Sequence, residues 1–203
     1  PLRKRKASNM VLLVASLGAF TAMQAIIAII FTSQFHTLAQ NIGSQKIYTV
    51  LGGVITETQV VILASAIIVT VGLLFLLKYT MFGKAVKAVS DDEEVAKIVG
   101  IDTNKIIGYV FFIGSAIAGL AGILVGFDTG IEPTMGLALL LKGVIAAIVG
   151  GVGSIYGAFI GAFLLGFVEN FGIWQISGEW KDAIAFVLLI IFLIFRPRGI
   201  VNK

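Results

Sequence analysis

The chain contains no cysteine and a single histidine, His36. The first absence removes disulfide frameworks and thiolate chemistry. The second removes any histidine-rich metal centre, and His36, with no second ligand type near it, reads as a surface residue. Charge is scarce as well: Asp, Glu, Lys and Arg make up 13% of 203 residues, against 58% hydrophobic ones. Soluble domains run at about 45–50% apolar. An excess of this size, gathered into long runs at a mean hydropathy of +1.03, specifies a polytopic membrane protein. Chemical motifs are missing too. No G-x-x-x-x-G-K-[ST] occurs, and Gly83-Lys84 lacks the preceding glycine and the following hydroxyl, so the chain is not an ATPase. There is no Ser/His/Asp or Cys/His set, and no pair of carboxylates inside an apolar run such as intramembrane aspartyl proteolysis requires. No enzymatic activity, cofactor or metal is expected.

What is present is a succession of apolar runs. They fall at approximately 10–31, 60–77, 106–127, 136–150, 154–171 and 181–196. A helix needs about 20 such residues to cross a bilayer. The expectation is an all-α integral membrane fold of about six transmembrane helices, forming a single domain over 1–203. Ser8 and Asn9 suit the cap of the first helix. Thr32 to Gln59 is polar and reads as an extracytoplasmic loop, in which alternation around Lys46 to Val54 suits short strands or an interfacial segment. Gly150, Gly151 and Gly153 break the fourth run from the fifth. That break is either a tight inner turn between two spans or lies within the membrane, as in interrupted helices that line a pathway. Trp174 and Trp180 bracket an outer turn. The opening PLRKRK reads as a topological anchor and as the interior of a longer protein. Six crossings with the start inside place every basic residue except Lys46, Lys142 and Lys181 on the cytoplasmic side. The excess of 15 basic over 11 acidic residues thus reports orientation, not nucleic-acid binding.

Between the second and third runs lies the longest polar stretch, FGKAVKAVSDDEEVAKIVGI, from Phe82 to Ile101. On the orientation above, the loop over 78–105 is cytoplasmic. Asp91 and Asp92 are expected at a helix start, where acids suit the dipole. Ala96 would let another surface approach closely, and Gly100 would end the helix at φ > 0. Small residues mark helix crossings elsewhere: Gly122 and Gly126 form one G-x-x-x-G pair, and Gly153, Gly157 and Gly161 are spaced for one stripe. Ionisable or amide groups within apolar runs are few. Lys142 and Glu169 are the charged ones, and Gln24 lies mid-run in the first. A charge in hydrocarbon costs at least ~2.5 kcal/mol, so such residues face a cavity or a partner. They are candidates for a translocation path, with an interfacial or interhelical role as the alternative.

Three blocks carry a family resemblance. Glu94, Ala96 and Gly100 resemble the E-A-A-x-x-x-G loop of ABC importer permeases, with Val95 replacing the first alanine. GKAVKA from Gly83 resembles the G-x-A-x-[RK]-A loop of the branched-chain amino acid permeases. PTMGLALLLKGVIAAIVGGVGSIYGAFIGAFLLGFVEN and the closing RPRGI resemble that family's glycine-rich signature and C-terminal ending. The resemblance is to the smaller of two paired permease types and implies that the chain lacks further N-terminal spans. It implies a cytoplasmic coupling helix, with Asp91, Asp92, Glu94, Ala96 and Gly100 meeting an ATPase. The implied partners are two cytoplasmic ABC ATPase subunits, a second homologous permease and a periplasmic or extracellular substrate-binding protein, in a bacterial or archaeal cytoplasmic membrane. The implied cargo is a branched-chain or related small amino acid. Relatives that carry urea, amides or other amino acids, and an ATP-independent carrier, are the alternatives.

Overall fold

A computed structural model describes residues 9–32, 34–36, 47–50, 53–175, 177–196 and 199–201. The basic cluster at Arg3 to Lys6, the cap candidate Ser8, and Ser44, Lys46, Pro197, Arg198 and Lys203 lie outside the described residues. Helix α1 runs Asn9–Phe31. Strands β1 (Ile47–Val50) and β2 (Gly53–Thr56) pair antiparallel, with Tyr48 opposite Ile55 and Thr49 opposite Val54. The alternation in this segment thus makes a hairpin. The hairpin delivers the chain directly into α2 (Glu57–Tyr79). Thr56 and Gln59 cap that helix reciprocally, each side chain meeting the other's backbone N–H at 3.3 Å. This cap starts α2 at Glu57, ahead of the apolar run that begins at Val60.

The remaining helices are α3 (Met81–Asp91), α4 (Glu93–Ile98), α5 (Thr103–Thr129), α6 (Met135–Gly150), α7 (Ile155–Gln175) and α8 (Lys181–Phe195). A 3₁₀ turn, Gly178–Trp180, leads into α8. The protein is an all-α, multi-pass membrane protein with one small hairpin. Among the described residues four helices, α1, α2, α5 and α7, are long and apolar enough to cross a bilayer. Helices α6 and α8 have 16 and 15 residues. At 1.5 Å per residue they reach roughly 22–24 Å, short of a hydrocarbon core of about 30 Å.

The packed core lies where α6, α7 and α8 meet. Ile145, Ala146, Val149, Leu165, Ala185 and Leu188 are buried there. Between lipid-facing helices the hydrophobic effect offers little, so close backbone approach must supply the packing. The sequence provides it with glycine. A Cβ on Gly157 would overlap the carbonyl of Gly150, and one on Gly161 would overlap Ala146 O and lie 2.7 Å from Gly150 N. Gly153 does not belong to this stripe. It sits in the turn before α7 at φ 88, because Ser154 starts the helix by accepting a hydrogen bond from Gly157 N at 3.1 Å. Around Gly122 nothing lies within 4 Å of an added Cβ, whereas Gly126 is buried at the end of α5. Gly122 therefore makes no tight crossing among the described residues.

Two further links fix the ends. Beyond α8, Ile200 N–H donates to Val149 O and Val201 N–H to Gly150 O, both at 3.0 Å. These bonds satisfy carbonyls that a helix end leaves unpaired. At the opposite end, His36 and Ile131 exchange backbone hydrogen bonds of 2.9 and 2.8 Å, tying the α1–β1 connection to the α5–α6 connection.

Candidate functional site

The polar stretch after α2 forms two helices, not one. Thr80 is extended at φ −101, ψ 157, and its hydroxyl accepts from Gly83 N at 3.2 Å, opening α3. The reversal is tight: a Cβ on Gly83 would strike the backbone of Leu77. Helix α3 then lays Phe82, Ala85, Val86 and Val89 inward and turns Lys84, Lys87 and Ser90 to solvent. Phe82 meets Tyr109 of α5 edge-on, with centroids 6.2 Å apart.

Asp92 breaks the helix. At φ −155 it is extended, and its Oδ1 accepts from Glu94 N at 2.8 Å and Val95 N at 3.0 Å, so it caps α4. Asp91 was expected at a helix start with Asp92; it is the last residue of α3, where the dipole disfavours an acid. Substituting Asp92 by alanine should cost about 1 kcal/mol of local stability. In a six-residue helix that loss is large, and hydrogen exchange at the 94–98 amides should accelerate about five- to tenfold. Unchanged exchange would show that packing alone holds α4.

Thr103 anchors α4 from behind, and Lys97 braces it from within. Thr103, buried at the start of α5, donates to Glu93 Oε1 at 3.4 Å, and Lys97 Nζ pairs with the same oxygen at 2.8 Å. Asp102 caps α5 through Lys105 N at 3.2 Å. Its hydrogen bonds with Lys105 hold this carboxyl below the ordinary carboxylate value. Ala96, expected to face a partner, is only 3% exposed. Its small side chain lets the protein's own helices close on α4, so its face is the inner one. The outer face is Val95, Ile98 and Val99, exposed by 53%, 84% and 74%, flanked by exposed Glu94. Sequence reasoning missed these three because a mostly apolar chain hides a short apolar patch. Gly100 follows at φ 90, with open space where a Cβ would stand, and turns the chain toward α5.

A second constellation sits between α6, α7 and α8. Lys142 Nζ lies 3.3 Å from Glu169 Oε1 and 3.1 Å from Asp182 Oδ1, and Lys181 Nζ lies 3.7 Å from Glu169 Oε2. Glu169 is only 5% exposed. Its Oε1 has the Lys142 charge beside it but accepts no hydrogen bond among the described residues. Lys142 and Glu169, singled out separately in the sequence, therefore belong to one cluster, while Gln24 is half-buried on α1 and does not join it. Asp182 escaped notice because an acid in the first turn of a helix is ordinary. Among the described residues no group of His, Cys, Asp and Glu is arranged to hold a metal ion.

Comparison with known proteins identifies the family. The pattern of the family described as branched-chain amino acid transport system / permease component matches residues 7–193. The chain is 39% identical over 153 residues to the high-affinity branched-chain amino acid transport system permease protein BraD of Pseudomonas aeruginosa, covering 75% of this chain and 50% of that protein. It is 37% identical to LivH of Escherichia coli, a permease protein of the same description, over 73% of this chain and 49% of that one. A probable LivH permease of Methanocaldococcus jannaschii is 29% identical over 98% of this chain and 66% of its own length. No solved structure matches. The chain spans about half the length of the first two relatives. With its helical membrane architecture and a family pattern running nearly end to end, the chain belongs to the branched-chain amino acid transport system permease family.

Proposed function

We propose that this chain is the permease subunit of an ABC importer that passes branched-chain or related small amino acids across a cytoplasmic membrane, driven by separate ATPases. The observation that carries the reading is the exposed apolar face of α4, Val95, Ile98 and Val99, presented between α2 and α5 at one end of the helices. An exposed apolar patch rimmed by charge is a protein-binding surface, and a short helix seated in a groove is a common way to occupy it. The same end carries Lys78, Lys84, Lys87, Lys97, Lys105 and Arg196, so the positive-inside rule makes it cytoplasmic, where an ATPase is found. Names of the relatives supply the cargo class. Helices α6 and α8 complete six crossings, with local thinning of the bilayer accommodating both short helices. The partners are two ATPases, a second permease and a binding protein that delivers cargo from outside.

Orientation is tested with single cysteines, which the cysteine-free chain makes clean. Position 90 on α3 and position 132 in the α5–α6 connection are both exposed. Ser90→Cys should label only from inside and Glu132→Cys only from outside. Labelling of both from one side would overturn the topology. Function is tested by uptake of leucine, isoleucine and valine into liposomes holding the assembled transporter. Uptake that proceeds without ATP would sink the importer reading.

A further inference from the structure

We propose that Lys142 and Asp182 form the point at which the charged head of a zwitterionic amino acid binds during passage, with Glu169 as the positioning residue behind them. The proposal rests on the reading of the chain as an amino acid permease. Its starting point is a cluster of four charges, two of each sign, within largely apolar helices. Such groups are expensive to keep in a membrane, and they stand where a pathway or partner uses them.

The four differ in how firmly they are held. Glu169 is buried on α7 between two lysines, so it is inaccessible and serves to aim Lys142. Lys142 retains 28% side-chain exposure, and the side chain of Asp182, at the start of α8, retains 67%. A pair with one well-exposed partner is weak and exchanges readily. Lys142 and Asp182 also stand side by side on a cavity of about 70 Å³ walled by Ala138, Leu141, Ile145, Ala185 and Phe186. At roughly 30 Å³ per water, that space takes about two waters. It admits a charged head, not a whole amino acid; an apolar side chain would extend along the Leu141 and Phe186 wall.

A zwitterion suits this geometry because the exchange conserves pairing. Its carboxylate takes the place of Asp182 on Lys142, and its ammonium goes to Asp182. One ion pair opens, two form, and no charge is left alone. A ligand with only an anion would leave Asp182 without its partner, and one with only a cation would leave Lys142 on Glu169 alone, so either forms one pair for the one it opens.

The test uses the complete transporter in liposomes with its ATPases, second permease and binding protein, supplied with labelled leucine. Asp182→Asn removes an exposed carboxylate that supports no packing. Subunit co-purification should hold, while maximal uptake falls about tenfold, the loss of one charge-assisted contact. ATP hydrolysed per leucine carried should rise by a similar factor, whereas a folding defect would lower hydrolysis and uptake together. Lys142→Met should lose at least as much, and Lys142→Arg should recover uptake to within about threefold of the parent. If Lys142→Met fails to assemble, Asp182→Asn and Lys142→Arg decide the matter. Uptake within about twofold of the parent in Asp182→Asn, at unchanged ATP per leucine, overturns the proposal while leaving the permease reading in place. A parent transporter that hydrolyses ATP yet carries no amino acid overturns both.

Discussion

Gly161→Leu is expected to abolish assembly of the permease, leaving little or no folded protein in the membrane. The backbones of α6 and α7 approach so closely here that even one carbon at position 161 overlaps Ala146 O. Ordinary overpacking of a core costs about 1–3 kcal/mol because side chains shift. Here the obstacle is backbone, so the two helices must separate along their length and the loss should exceed about 3 kcal/mol. Position 166 on the same helix is the control, since an added Cβ there meets nothing within 4 Å. Gly166→Ala should be neutral or stabilising by up to about 1 kcal/mol. Yield of monodisperse complex after detergent extraction, read with thermal unfolding, separates the two. Equal yields would place the Gly161 face against lipid.

Ile98→Asp is expected to remove ATPase association while leaving insertion intact. Ile98 is 84% exposed, so a charge there costs the permease little in folding, about 0.3–1 kcal/mol for an acid at the end of α4. In a groove on a partner it is buried unpaired, which at an interface centre costs about 2 kcal/mol or more, roughly thirtyfold in affinity. Gly100→Val acts differently. It forces a β-branched residue to φ 90, at about 1–3 kcal/mol, and misdirects the turn between α4 and α5. Glu94→Arg should fall between control and Ile98→Asp, because it changes only the charge beside the patch. Co-purification of the ATPase and substrate-stimulated hydrolysis are the readouts, with Glu132→Ala at the opposite end as control. Association at parental levels in Ile98→Asp would leave α4 a connector and no more.

Class and helix placement were legible in the sequence because membrane helices announce themselves by length and apolarity, which a single chain displays directly. The exact ends were set by capping: Thr56 with Gln59 starts α2 at Glu57, and Ser154 starts α7 beyond Gly153. Those bonds involve residues that look unremarkable in a row of letters. The polar stretch over 82–101 shows the limit more sharply. Four acids in a row suggest one helix start, but only one can be extended, and Asp92 takes that conformation. Ala96 carried the right residue type and the wrong face, because inner and outer sides of a helix of a turn and a half depend on what α5 covers. Lys142 and Glu169 were each visible as anomalies. Their pairing, and Asp182 with them, depends on three helices meeting, which no local pattern reports.

The short pairing beyond α8 has a consequence for how the protein is made. The carbonyls of Val149 and Gly150 find their donors at Ile200 and Val201, about fifty residues further along. During synthesis at about 5–20 residues per second, the α6–α7 turn therefore waits on the order of 3–10 s before its end is satisfied. In that interval α6 and α7 can already close on their glycines, but the turn between them is held only by its own bonds. The core is thus sealed by a segment made about fifty residues later, and the stretch after α8 must return to the turn before α6, α7 and α8 behave as one body. A ribosome stalled within α8 would leave a hairpin with bare carbonyls, the kind of exposed backbone that quality-control proteases find.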